Sequence, residues 1–114
     1  MTNPSVRSAV FSLATSKTAI PGPGGQHFTT TLQRGTLKLL LSLPVRPNEQ
    51  APHAQDELYV VVRGSGTLFH DGKRDGFAPG DAMFVAAGTE HHFEDFTDDL
   101  AVWVAFYGPH GGEA

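Results

Sequence analysis

The chain has 114 residues, no cysteine, and twelve acidic against eight basic side chains, for a formal net charge of −4. That length fits a single domain with its own core, and the missing cysteines exclude disulfides and thiolate chemistry. The basic residues are scattered, which argues against a nucleic-acid footprint. No apolar run reaches signal-peptide or membrane-spanning length, so a cytoplasmic protein without membrane contact is expected.

Thirteen glycines and eight prolines punctuate the chain, a pattern of short strands and turns rather than long helices. Val6–Leu13 and His27–Leu32 are the first candidate strands, with the loop Pro21-Gly22-Pro23-Gly24-Gly25 between them. Leu37, Leu39, Leu41 and Leu43 alternate with Lys38 and Ser42, which predicts a strand with one buried face and the lysine and serine opposite. A loop follows from Pro44 to Pro52. Leu58-Tyr59-Val60-Val61-Val62 is apolar at both parities, which predicts a strand covered on both faces. Thr67–His70 and Lys73–Phe77 flank Asp71-Gly72, a hairpin signal. Phe77–Asp81 is a turn, Ala82–Val85 a short strand, and Ala101–Tyr107 the last and strongest strand. No window shows helical periodicity flanked by caps. Residues 108–114 read as a loose tail.

His53, Gln55, Glu57 and Tyr59 share one parity, so on an extended strand all four point to one side. If that side is an interior, polar groups enter apolar space, where leaving them unpaired costs several kcal/mol in total. His91 lies beside a second strand-like segment, in Gly88-Thr89-Glu90-His91-His92. Two imidazoles and a carboxylate form a donor set suited to a divalent metal. His92 alternates with His91 and is expected to face outward.

At these residues the chain resembles the cupin superfamily. Glu57 is followed by six residues and then Gly64, His53 stands four before Glu57, and Gly80, Gly88 and His91 carry the spacing of the second cupin motif. The resemblance covers residues 36–107. Four positions depart from the pattern. Ala51 stands where the first motif histidine is usual and Val45 where the leading glycine is. Ala86 replaces the motif proline, and Asp95 replaces the asparagine.

The resemblance implies an all-β, double-stranded β-helix (jelly-roll) barrel, with residues 1–114 forming one cupin domain. It implies one divalent transition metal ion (Fe, Mn, Ni, Co or Zn) on His53, Glu57 and His91, and a small organic substrate. Gln55 is a fourth donor, a residue that orients a ligand, or a surface residue. Gln55 and Tyr59 are the candidates for substrate-orienting catalytic roles. Two histidines and one carboxylate resemble the facial site of non-haem iron oxygenases. A dioxygenase-like oxidoreductase is therefore the first expectation, a metal-dependent isomerase or epimerase the second, and a non-catalytic small-molecule binder the third. A homodimer is expected, because it would cover the outer face of Leu58–Val62, with Val6–Leu13 as a candidate contact.

Overall fold

The computed structural model describes residues 6–48 and 50–114. Glu49, inside the expected Pro44–Pro52 loop, and residues 1–5 of the N-terminal reading lie outside the described residues. A five-residue helix, α1 (Leu13–Lys17), comes first, followed by eight strands: β1 (Phe28–Arg34), β2 (Leu37–Ser42), β3 (Asp56–Arg63), β4 (Gly66–His70), β5 (Lys73–Phe77), β6 (Ala82–Val85), β7 (His91–Glu94) and β8 (Ala101–Tyr107). The strand expected over Val6–Leu13 is absent. The Ser12 hydroxyl instead accepts a hydrogen bond from the Thr15 amide at 3.0 Å and starts α1. Among the described residues no helix is long and apolar enough to cross a membrane.

The strands form two sheets, a five-stranded one in the order β1-β2-β8-β3-β6 and a three-stranded one in the order β5-β4-β7. The core lies between them. Leu40, Tyr59, Val61, Met83, Val85, Val102 and Val104 contribute from the larger sheet, and Leu68, Phe77 and Phe93 from the smaller. Phe93 meets Tyr59, Phe77 and Phe96 at centroid separations of 5.1, 5.5 and 6.4 Å, which is the range of favourable aromatic pairs. This is the two-layer arrangement of a jelly roll.

Turn chemistry fixes the connections. Asp71 and Gly72, with φ of 51° and 76°, make the two-residue hairpin turn between β4 and β5 that the sequence predicts. Gly64 has φ 86°, and a Cβ there would sit 2.7 Å from both Leu100 Cα and Thr97 Oγ1. Conformation and space therefore both demand glycine at the position seven beyond Glu57.

One expectation about a strand face is corrected. On β2, the side carrying Lys38, Leu40 and Ser42 faces the interior and lines a cavity. Leu41 is fully buried yet lies outside the core cluster, on the opposite side. The reason is α1, which packs on β1 and β2. On β3, the outward Leu58 and Val60 remain 39% and 40% exposed, and Phe84, paired with Leu58 on β6, is 54% exposed. Nothing within the chain's described residues covers that face.

The carboxyl-terminal segment is also tied rather than loose. The Glu113 amide donates to Asp56 Oδ2 at 3.0 Å, and the Gly111 amide donates to the Ala54 carbonyl at 2.7 Å. A buried acidic side chain at the first position of β3 is what holds it.

Candidate metal centre

Three separate stretches of chain deliver the polar triad. His53 comes from the segment before β3, Glu57 from the second position of β3, and His91 from the first position of β7. Hydrogen bonds clamp the first and last of these stretches together. The Gly88 amide donates to the His53 carbonyl at 2.8 Å, and the Ala87 amide donates to Asp56 Oδ1 at 2.9 Å. The turn leading into β7 is thus fastened to both flanks of Ala54-Gln55.

One donor atom from each of His53, Glu57 and His91 lies within 4.8 Å of the other two. His91 Nε2 is 3.1 Å and His53 Nε2 3.7 Å from Glu57 Oε1. The side chains of Glu57 and His91 are 2% and 0% exposed, against 34% for His53. The imidazole Nδ1 of His91 donates to the Thr89 carbonyl at 2.9 Å. In the neutral ring that bond leaves Nε2 as an acceptor, aimed at a carboxylate oxygen that is also an acceptor. His53 Nε2, Glu57 Oε1 and His91 Nε2 all lack a hydrogen-bond partner. A buried acceptor left so costs about 1–3 kcal/mol, more if charged. A cation between them, a shared proton, or a water donating to two of them turns this arrangement from repulsive to attractive. A divalent metal fits the donor chemistry, and the Thr89 carbonyl provides the outer hydrogen bond that usually fixes a ligating imidazole.

The electrostatics agree with that reading. Burial pushes the His53 imidazole below its ordinary pKa. Glu57 works against that, while His91 and Lys38 add to it. At His91 burial also opposes charge, but Glu57 and the Thr89 carbonyl outweigh it and raise the pKa. The raised His91 pKa favours a proton between His91 and Glu57 when no other cation stands there.

A cavity of about 510 Å3 opens onto two members of the triad, His53 and Glu57. His53, Glu57 and Tyr59 form one end. Leu40, Val104 and Phe106 make apolar wall, while Lys38, Ser42, Asn48 and Gln50 place polar groups around it. Ala51 lines it too and offers no donor. A neighbouring cavity of about 530 Å3, bordered by Arg46, Phe93 and Phe96, contains none of the triad.

Tyr59 and Gln55, paired by parity in the sequence, are separated by the structure. Tyr59 is buried in the cavity end, and its hydroxyl donates to Gln50 Oε1 at 3.1 Å. Burial, with Glu57 close by, pushes the phenol far above its usual pKa, so it stays a protonated donor. Gln50 in turn donates to Asn48 Oδ1 at 2.7 Å, an oxygen that also accepts from the Phe93 amide at 2.9 Å. Gln55 is turned away. Its side-chain nitrogen donates to the carbonyls of Thr36 and Gly108 at 2.9 and 3.0 Å, and it borders a different cavity. Strand β3 begins at Asp56, so strand parity does not extend back through Gln55. Lys38, Gln50 and Asn48 were missed by sequence reasoning. The triple run Leu39-Leu40-Leu41 was the available signal that β2 is covered on both sides.

Residues 43–107 match the Cupin domain family. The chain belongs to that family. A curated relative, an uncharacterized protein of Streptomyces coelicolor, is 39% identical over 62 residues, which is 54% of this chain. The match spans 59% of the relative's own length. A cupin 2 conserved barrel protein of Salinispora arenicola superposes with a TM-score of 0.62 at 15% identity, covering 74% of this chain and 76% of that one. A structure from Ralstonia eutropha, provisionally named a mannose-6-phosphate isomerase, superposes with a TM-score of 0.53 at 28% identity, covering 70% of this chain and 81% of that one. The conserved-barrel relative establishes the cupin fold alone.

Proposed function

We propose that this cupin is a metal-dependent enzyme acting on a small organic molecule, with one divalent transition metal ion held by His53, Glu57 and His91. The observation that carries the reading is the convergence of three buried donor atoms that have no hydrogen-bond partner. With Ala51 in place of a further donor, three protein ligands leave positions for oxygen atoms from outside the protein. The metal would supply Lewis-acid polarisation of substrate oxygens and, if iron, dioxygen chemistry. We favour a dioxygenase-like oxidoreductase, because two histidines and one carboxylate with open positions are the donor set of non-haem iron oxygenases.

The chain's own residues have separable tasks. Glu57 and His91, nearly free of solvent, fix the base of the site, while half-buried His53 borders the entrance. The buried phenol of Tyr59 holds Gln50 by its side-chain oxygen at the cavity wall, which makes Tyr59 a positioning residue and Gln50 the group that meets substrate. The apolar wall of Leu40, Val104 and Phe106 keeps water from competing for polar contacts. An isomerase or epimerase is the second reading, favoured by the 28% identity to the Ralstonia eutropha structure. The homodimer expected from sequence would use the uncovered face of Leu58, Val60 and Phe84, and light scattering at several concentrations tests it.

The direct test is elemental analysis of protein purified without added metal, beside His53→Ala and His91→Ala. Stoichiometric metal in the parent and its loss from both variants is expected. Full retention in both would overturn the ligand assignment. Oxygen uptake with catechols, diketones and thiols then separates the oxidoreductase from an isomerase, which consumes no oxygen. An organic pocket occupied without any metal would instead make the chain a binder.

A further inference from the structure

The side of β2 that turns inward carries a cation to the cavity. Lys38 lines the same space as His53 and Glu57. Phe106 lies between them, its ring 4.8 Å from the His53 ring and 5.8 Å from Lys38 Nζ. Lys38 depresses the His53 pKa, which places its charge within electrostatic reach of the triad. Among the described residues it forms no ion pair. Glu57 is the one described carboxylate bordering the cavity, and it is already shared by two imidazoles. The wall on that side includes Leu40 and Phe106, with Ser42 as a neutral polar residue farther along β2. An ammonium beside the Phe106 ring, with no counter-charge bound to it among the described residues, is a recognition group for a charge that arrives from outside.

We propose that the cavity selects a small organic anion, whose carboxylate or phosphate oxygens meet the Lys38 ammonium while its other end faces His53, Glu57 and His91. The proposal rests on the reading of this cavity as the substrate site and names the class of substrate. The body between the two ends is apolar and flat enough to lie along Phe106. A lysine suits either oxyanion, being a compact point charge rather than a planar fork. His27 lines the opening as well and adds positive charge only where it is protonated.

The test uses benzoate and phenyl phosphate as anionic probes and benzamide as the neutral control, titrated into the full chain by calorimetry with and without cobalt(II). In the metal-free protein the preference for an anionic probe over benzamide reports the positive charge of the cavity, and the variants assign it to Lys38; a charge-assisted contact predicts roughly tenfold or more. Lys38→Met should abolish that preference, and Lys38→Arg should restore much of it. The larger preference between benzoate and phenyl phosphate identifies the oxyanion. In the parent protein the preferred anion should also slow acetylation of Lys38, followed by mass spectrometry, an outcome that needs no folded variant. Equal affinities for anion and amide in the parent, or an unchanged preference in Lys38→Met, would overturn the proposal. Failure to take up cobalt, seen as no visible absorption band, would sink the metal reading instead and leave the Lys38 measurement interpretable.

Discussion

Strand β7 carries two adjacent histidines, each beside a glutamate, and they lead opposite lives. His92 faces outward, stacks on Phe69 at 4.8 Å with the rings 25° apart, and contacts Glu94 Oε2 at 2.8 Å. Arg74 donates to both oxygens of the same carboxylate, at 2.8 and 3.3 Å. Every partner there is matched and in contact with water. His91 faces inward, and the Glu57 oxygen nearest it has no donor to accept from. The same two residue types thus make a saturated surface network on one side of a strand and an unsatisfied buried centre on the other. The proposed function belongs to the unsatisfied side, because a buried polar group without a partner calls for something that completes it.

The largest expected effect tests that contrast directly. His91→Ala should weaken metal retention by more than the 10–100-fold typical of losing an outer supporting partner, whereas His92→Ala should leave it unchanged and shift stability by no more than about 0.5 kcal/mol. Dialysis followed by metal analysis and thermal melting reads both. Similar losses in the two variants would erase the distinction.

Glu57→Gln sharpens the comparison in the opposite direction. The amide can donate to His91 Nε2, so the metal-free protein should gain about 1–3 kcal/mol from the repaired acceptor pair. Melting of the chelated protein should then rise by several degrees. Metal binding should fall at the same time, since the anionic ligand is gone. A lower melting point for metal-free Glu57→Gln would show that the acceptor pair was not strained.

How much of this was legible in the sequence depended on whether local spacing or distant packing decided each residue. Glu57, Gly64 and His91 announced themselves by spacing, and the Asp71-Gly72 turn by its chemistry. Leu41 and Lys38 did not. Leucine alternation on β2 is ambiguous once a helix packs on its outer side, and only the placement of α1 decides which face is the interior. Gln55 was misassigned because parity holds only inside a strand, and the strand starts one residue later. Gln50 belongs to a loop whose role depends on the Tyr59 hydroxyl, a contact between positions nine apart that no periodicity encodes.

Tyr59→Phe addresses that contact. Removing the hydroxyl frees Gln50 and should cost about 0.5–1.5 kcal/mol, measured by chemical denaturation. If Gln50 meets substrate as proposed, the Michaelis constant should rise more than turnover falls. The smallest effect belongs to the outward network. The Arg74 guanidinium, then His92, hold the Glu94 carboxyl down to about 2. A depressed folded-state value stabilises above the unfolded pKa of 4.5 and loses that contribution as pH falls toward about 2. Carbon-detected titration of Glu94 should find that low midpoint, and Arg74→Ala should move it upward. An ordinary carboxylate midpoint in the parent would mean the surface network is not formed in solution.

The bond from Gly111 to the Ala54 carbonyl, next to His53, has a practical consequence. The proposed ligand most open to solvent is steadied from residue 111. Cutting the chain before that residue would disturb the proposed metal site without touching it, and the damage would register first as a leaking ion rather than as unfolding.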